Sequence, residues 1–120
     1  MSSRKLKVQL FLNEFKEAAN SDYGILYAGR SKNWDTLVEL EITSAMRDEI
    51  VLGLSFRNYV SGPLKDEKGH SGELWVFGVL ENSKEIYIKL KVLTGKAGKK
   101  AFCLSFHPAE HSLSFPLGRG

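Results

Sequence analysis

Apolar and polar residues alternate in the second half of the chain, and this alternation constrains the fold more than any other feature. Residues 85–91 run Glu-Ile-Tyr-Ile-Lys-Leu-Lys, so every second side chain is aliphatic. Successive side chains of a strand point to opposite faces of a sheet, and the segment therefore predicts a half-buried strand. The same period predicts three strands, which short polar turns should join in antiparallel order. They are Leu74–Leu80, Glu85–Leu93 and Lys100–Phe106.

Helical spacing dominates the first half. Leu6, Leu10, Phe11 and Phe15 recur at three- to four-residue steps, which predicts an amphipathic helix that ends near residues 20–24. Thr43 is a favourable N-cap for a second helix over Ser44–Leu52, which Gly53 would end. Three shorter segments lie around it. We expect a strand at Tyr23–Arg30, a helical turn over Asp35–Leu40 capped by Asn33, and one more turn over Leu54–Tyr59.

The segment Ser61–Gly72 is polar and contains glycine and proline, which predicts an exposed loop. Together these segments predict an α+β fold, with an antiparallel β-sheet and N-terminal helices packed on one face. The chain has 120 residues, and we expect one domain over 1–120.

Composition narrows the function classes. The chain has 17 Lys and Arg against 14 Asp and Glu, a net charge of +3, which is compatible with a phosphate-rich partner. The single cysteine, Cys103, cannot form an intrachain disulfide, and the charges that interrupt the N-terminal segment argue against a signal peptide or membrane span. We therefore expect a cytoplasmic protein with no membrane association. Motifs for nucleotide binding and structural zinc are absent, so no cofactor is predicted.

Alternation in the last two strands predicts a basic face. Ile86, Ile88 and Leu90 should face the core, while Tyr87, Lys89 and Lys91 face outwards. In the last strand the same rule puts Phe102, Leu104 and Phe106 on the core side. If the two strands are neighbours, three further side chains share the outer face with the tyrosine and the lysines. They are Cys103, Ser105 and His107.

This set of side chains suits metal-independent RNA cleavage. Attack by a ribose 2′-hydroxyl on the adjacent phosphate needs a base, an acid and nearby positive charge. His107 can serve as general acid or base, Tyr87 as orienting or proton-transfer group, and Lys89 and Lys91 can hold phosphate. A different interpretation is also open: exposed lysines protect strands from edge pairing, and the face could bind RNA or an acidic protein without chemistry.

Three other features of the sequence bear on function. Lys65 and His70, in the 61–72 segment, could reach a bound RNA backbone, although charged loop tips are more often simply solvated. Residues 107–111, His-Pro-Ala-Glu-His, match a zinc-protease pattern, but that pattern requires a helix and no further ligand residue follows. Cys103 is more typical of a small packing residue than of a nucleophile.

Several phrases together resemble the MqsR-like toxins of bacterial type II toxin–antitoxin systems, within the RelE-type superfamily. The similarity spans residues 54–116 and extends more faintly to the N-terminal helix and the Thr43 helix. It is carried by Gly-Pro at 62–63, Glu-Leu-Trp-Val-Phe-Gly at 73–78, the 85–91 strand, and Cys-Leu-Ser-Phe-His-Pro-Ala-Glu at 103–110. Val76 and His107 depart from the family pattern, which has glutamine and lysine there, and Tyr-Val-Ser at 59–61 lacks the lysine of the family's Tyr-Lys-Ser segment.

The resemblance implies a small, metal-independent endoribonuclease that cleaves mRNA, either free or on the ribosome, and is neutralised by a cognate antitoxin protein. It makes Tyr87 the first choice for the catalytic region, with His107 and Lys89 beside it. Lys91, Lys65, His70, Ser105 and Glu110 complete the expected RNA-binding set, and Glu110 is expected to set the tautomer or charge of His107.

Overall fold

The computed structural model describes residues 3–66, 68 and 72–118. Within these residues, three α-helices, a 3₁₀ turn and five strands follow one another along the chain. The helical segments are α1 (Ser3–Ala19), α2 (Ser31–Leu40), α3 (Ser44–Leu52) and the 3₁₀ turn Phe56–Asn58. The strands are β1 (Ile25–Tyr27), β2 (Tyr59–Lys65), β3 (Glu73–Glu81), β4 (Lys84–Gly95) and β5 (Gly98–Pro108). The α+β class is thus confirmed.

The five strands form one sheet in the order β1-β5-β4-β3-β2. Strands β2 to β5 pair antiparallel. Strands β4 and β5 are neighbours, which is the condition for their outward side chains to share one face. The predicted antiparallel sheet has one parallel strand at its edge: β1 runs parallel to β5, with Ile25 beside Ala101 and Tyr27 beside Cys103. Parallel pairing is possible because a long crossover, containing the later helices and strands, separates β1 from β5 along the chain.

The core lies between α1 and one face of the sheet. From β4 it takes the predicted side chains Ile86, Ile88 and Leu90, all fully buried. Helix α1 is rotated from the predicted orientation, since Val8, Leu12 and Phe15 are buried while Leu10 remains 59% exposed. Of the predicted apolar stripe, Phe15 is buried whereas Leu6 and Leu10 are exposed. Val8 and Leu12, which lay outside that stripe, are buried in their place. We call the opposite face of the sheet, which carries Tyr87 and Lys89, the outer face.

The expected loop at 61–72 is partly a strand. Its first five residues belong to β2, which pairs with β3 through Leu64 opposite Leu74, with register shifts on the way. Local sequence signals missed this strand because Gly62 and Pro63 interrupt its period. The predicted cap of Thr43 is observed, and Ser55 caps the 3₁₀ turn. The β3–β4 turn is also confirmed: Asn82 and Ser83 both have positive φ, as in a tight hairpin turn.

Candidate functional site

Four of the expected side chains come together in the middle of the outer face. In the register of β4 and β5, Tyr87 stands opposite His107, and Lys89 stands opposite Ser105. The four residues line one concavity of about 340 Å³. Both pairs are direct cross-strand neighbours, so the fold itself sets their separation.

A β-bulge at Leu104 corrects the predicted alternation in β5. Lys89 pairs with Ser105, whereas the next residue, Leu90, pairs with Cys103, so Leu104 is the extra residue of the bulged strand. Before the bulge the predicted faces are inverted: Cys103 is buried in the core, and Phe102 and Leu104 line the outer face. After it the prediction holds, since Phe106 is in the core.

The buried side chain of Asn33 holds the bulge in place. Its Nδ2 donates to the Leu104 carbonyl at 3.0 Å and to the Ala28 carbonyl at 3.2 Å. Its Oδ1 accepts from the Phe106 backbone N–H at 3.0 Å. Asn33 was expected to cap α2, but the helix begins at Ser31 and Asn33 lies inside it. The amide satisfies backbone groups of β5 that β1 is too short to reach, and so fixes the strand on both sides of Ser105.

The imidazole of His107 stacks on the ring of Tyr87, with centroids 5.4 Å apart and planes at 21°. Its Nδ1 lies 2.9 Å from the backbone carbonyl of Pro108. A carbonyl can only accept, so in this bond Nδ1 carries the hydrogen. In the neutral ring, Nε2 then holds the lone pair and is the atom that can accept a proton. The ammonium of Lys89 lies 5.7 Å from the centroid of the Tyr87 ring.

Glu110 does not contact His107 in the way that was expected. Its carboxylate pairs with the ammonium of Lys32 on α2 at 2.8 Å, on the exposed surface. The hydrogen bond and charge of Lys32 hold the pKa of Glu110 below its usual value, with smaller contributions from the charges of His107 and His111. The Pro108 carbonyl, rather than Glu110, sets the tautomer of His107.

Lys91 was expected to hold phosphate from an exposed position. The expected exposure is wrong, and the contact with RNA stays a prediction. The Lys91 side chain is only 3% exposed, and its Nζ lies 3.0 Å from Oδ2 of Asp66, whose side chain is 12% exposed. The aliphatic stem of Lys91 runs beneath Gly72, where an added Cβ would lie 3.0 Å from the Lys91 Cε. Asp66 and Gly72 therefore cover this lysine. Ser105 is buried too, at 2% exposed.

A larger concavity of about 1020 Å³ adjoins the first one on the outer face. We call it the Lys91 compartment, and the smaller one the His107 compartment. Arg30 and Lys89 line both, so these two cations stand where the compartments meet. Lys65 lines the larger compartment, and its contact with RNA stays a prediction. His70 lies outside the described residues.

Arg30 is the functional candidate that sequence reasoning missed. It is exposed just before α2, and within the described part of the chain its guanidinium has no hydrogen-bond or ion-pair partner. Nothing near it in sequence marks it as a site residue. It reaches the site only because β1 lies parallel to β5, and that pairing left no local signal.

The chain after β5 closes one end of the His107 compartment. The backbone N–H of Ala109 donates to the Glu85 carbonyl at 2.8 Å, and that of Leu113 donates to Oε1 of Glu85 at 3.3 Å. Leu113 and Phe115 then pack against Gly78 on β3. The zinc-protease arrangement is not formed, because residues 107–111 are a strand end and a bend rather than a helix. Across the described ranges, no three His, Cys, Asp or Glu side chains are grouped closely enough to hold a metal.

Cys103 has the packing role that was expected of it. It is fully buried on the core face, and burial raises the pKa of its thiol to about 12. The thiol is therefore protonated at neutral pH and is not a nucleophile.

In the part of the chain that the structure describes, no helix has the length and apolar character needed to cross a membrane. No family model matches the sequence, and searches of curated proteins and of solved structures gave no significant match.

Proposed function

We propose that the protein is a metal-independent endoribonuclease that cleaves single-stranded RNA by attack of a 2′-hydroxyl on the adjacent phosphate. The observation that carries this proposal is the arrangement of His107. Its Nδ1–H donates to the Pro108 carbonyl, its ring rests on Tyr87, and Lys89 and Arg30 line the same compartment. A proton acceptor thus lies beside two cations in one groove.

In the proposed reaction, Nε2 of His107 takes the proton of the 2′-hydroxyl. The 2′-oxygen forms a bond to phosphorus, and the bond from phosphorus to the 5′-oxygen breaks. Lys89 supplies the proton that the leaving 5′-oxygen needs, and Arg30 stabilises the charge on the phosphoryl oxygens. The products are a 2′,3′-cyclic phosphate and a 5′-hydroxyl, and Tyr87 keeps the imidazole in place through its ring.

The resemblance to the MqsR-like toxins supports a cellular role for this reaction. We propose that the chain is the toxin of a type II toxin–antitoxin pair, acts on mRNA in the cytoplasm, and is blocked by a cognate antitoxin. In that role, induced expression of the wild type should arrest bacterial growth, and expression of His107→Ala at the same level should not. Equal growth of both strains would count against the toxin role while leaving the chemistry to be tested separately.

The chemistry is tested with end-labelled single-stranded RNA, purified protein and excess EDTA. The wild type should cut and leave 2′,3′-cyclic phosphate ends. His107→Ala should bind the RNA but lose roughly 10²- to 10⁴-fold in rate, the usual contribution of a general base. A second substrate, with a single 2′-deoxyribose at the cut position, should resist cleavage there because it lacks the nucleophile.

The binding surface is tested by the salt dependence of RNA affinity. Each phosphate contact to a single strand contributes about −0.7 to the slope of log K against log salt concentration. Lys89→Ala should reduce the slope by about that amount. Lys99→Ala is the matched control, because Lys99 pairs with Glu14 of α1 away from the groove, and it should leave the slope unchanged. If the protein binds RNA with the expected slope but never cuts it, with or without ribosomes, it is a non-catalytic RNA-binding module and not a nuclease.

A further inference from the structure

The Lys91 compartment combines apolar walls with a positively charged rim. Its walls are formed by aliphatic and aromatic side chains of β2 to β5, among them Leu64, Leu74, Leu93, Phe102 and Leu104. Among the described lining residues, five are cationic and Asp66 alone is anionic. Apolar walls suit the faces of an unpaired base, and a cationic rim suits the phosphates on either side of it. The compartment is therefore complementary to a nucleotide of a single strand.

The ion pair in this compartment is held from several directions. Lys91 Nζ donates to Oδ2 of Asp66, while Oδ1 of Asp66 accepts from the backbone N–H of Lys68 at 3.0 Å. An ammonium has three N–H donors, and within the described residues Asp66 takes one of those of Lys91. Two donors of a nearly buried cation thus remain for acceptors that a ligand would bring. A buried ion pair is a weak source of stability compared with apolar packing, so its place beside a groove calls for another explanation.

The order of the two compartments suits the order of groups in a nucleic-acid strand, in which bases and phosphates alternate. Arg30 and Lys89 stand at the junction, with the apolar compartment on one side and His107 on the other. A phosphate at the junction would put one nucleoside in the Lys91 compartment and the neighbouring reacting groups beside His107. Cleavage would then occur at a fixed step from the nucleoside that the larger compartment holds.

We infer that the Lys91 compartment is a base-selecting subsite, in which Lys91 and Asp66 recognise the edge of an unpaired RNA base adjacent to the cleaved linkage. This inference rests on the proposed ribonuclease function. The base packs its faces against the apolar walls. One acceptor atom on its edge receives a hydrogen bond from Lys91, and one donor on its edge gives a hydrogen bond to Asp66. A base whose donors and acceptors are in another order leaves the remaining N–H donors of Lys91 buried and unsatisfied, which is how such sites discriminate strongly.

The test is the base composition around cut sites in a random-sequence RNA library, read by sequencing the cleaved ends. The wild type should show one strongly preferred base at a fixed position next to the cut. Lys91→Met should flatten this preference, and Asp66→Asn should shift it, because an amide adds donors where the carboxylate had none. Lys65→Ala removes a rim charge, and should lower affinity for every sequence while leaving the profile as it was.

Thermal unfolding of each variant separates loss of fold from loss of selection. Asp66→Asn preserves shape and an accepting oxygen, so it serves if Lys91→Met does not fold. A wild type without base preference, or a folded Asp66→Asn protein with the wild-type profile, would overturn the inference. If the wild type cuts nothing, the proposed function fails and the subsite is tested by affinity for four homopolymeric oligonucleotides. A preference that Asp66→Asn removes supports the subsite, and equal affinities reject it.

Discussion

His107 lies against the ring of Tyr87, with the two centroids 5.4 Å apart and the rings nearly parallel, and no hydrogen bond joins the two side chains. This contact positions the imidazole through its face and leaves its edges for hydrogen bonding. One edge is held by the Pro108 carbonyl at 2.9 Å. The role of Tyr87 is therefore expected to depend on its ring more than on its hydroxyl.

The first prediction separates ring from hydroxyl at Tyr87. Tyr87→Phe keeps the stack and should cleave RNA close to the wild-type rate. Tyr87→Leu removes the stack, and an aromatic pair contributes about 0.5–1.5 kcal/mol, so the rate should fall roughly 2- to 13-fold. Single-turnover kinetics measure both. A loss of about 100-fold in Tyr87→Phe would instead make the hydroxyl a proton donor in the reaction.

The second prediction concerns the proton from Lys89. Lys89→Arg keeps the positive charge, but a guanidinium does not give up a proton in proteins. The variant should bind RNA nearly as the wild type does and lose roughly 10²- to 10⁴-fold in cleavage rate. Lys99→Arg, in the neighbouring strand β5 and paired with Glu14, is the control and should retain activity. Full activity in Lys89→Arg would restrict Lys89 to an electrostatic role.

The third prediction is that Asn33 stabilises the bulge on which the site depends. Asn33→Ala removes the amide partner of the Leu104 carbonyl and of the Phe106 N–H, while the Ala28 carbonyl keeps its bond from the Arg30 N–H. The free energy of unfolding should fall by about 2–4 kcal/mol. Asn13→Ala, on the exposed side of α1, should change stability little. Urea denaturation of the two variants is the measurement. Equal midpoints would show that β5 keeps its bulge without the amide.

The bulge also marks the point in β5 before which side-chain orientation could not be predicted from the sequence. Alternation correctly predicted the face of Tyr87 and Lys89, because β4 keeps its period of two along its length. It was wrong for Phe102 and Cys103, since one extra residue inverts every side chain on one side of it. The bulge depends on Asn33, which is 73 positions from Phe106 in sequence, so no local pattern contains it.

The remaining differences are also non-local. Lys91 follows the alternation of β4 correctly, yet its burial results from Asp66 and Gly72 in a connection whose composition predicted an open loop. Arg30 joins the site through the parallel pairing of β1 with β5. Periodicity specifies which side chains share a face, whereas long-range packing decides which of them remain accessible.

The fourth prediction tests the segment that closes the His107 compartment. A Cβ at position 78 would lie 2.5 Å from Cδ1 of Leu113 and 3.1 Å from two atoms of the Phe115 ring. Gly78→Ala should therefore displace residues 113–115 and destabilise the fold by about 1–3 kcal/mol, the usual effect of overpacking. Adding Leu113→Ala should restore part of the loss, because it removes the closest atom. A double-mutant cycle in urea measures this coupling, and additive effects would show that the two positions are independent.

The last prediction is alkaline destabilisation through Cys103. Burial raises the pKa of this thiol from 9.0 to about 12, with Arg47 opposing part of the rise. Above pH 9 the thiol of the unfolded chain ionises while that of the folded protein stays protonated, so the unfolded state binds fewer protons. The free energy of unfolding should then fall as the pH rises from 9 towards 12, and the thiol should add no pH dependence below 9. Cys103→Ala removes this thiol and leaves Tyr27 in both proteins. The pKa of Tyr27 is raised by burial first and by its hydrogen bond to Asp48 next, and the charge of Cys103 contributes after these. Urea denaturation between pH 8 and 11 should thus show a steeper decline for the wild type than for Cys103→Ala, and parallel curves would mean that the thiol ionises as readily in the folded protein as in the unfolded chain.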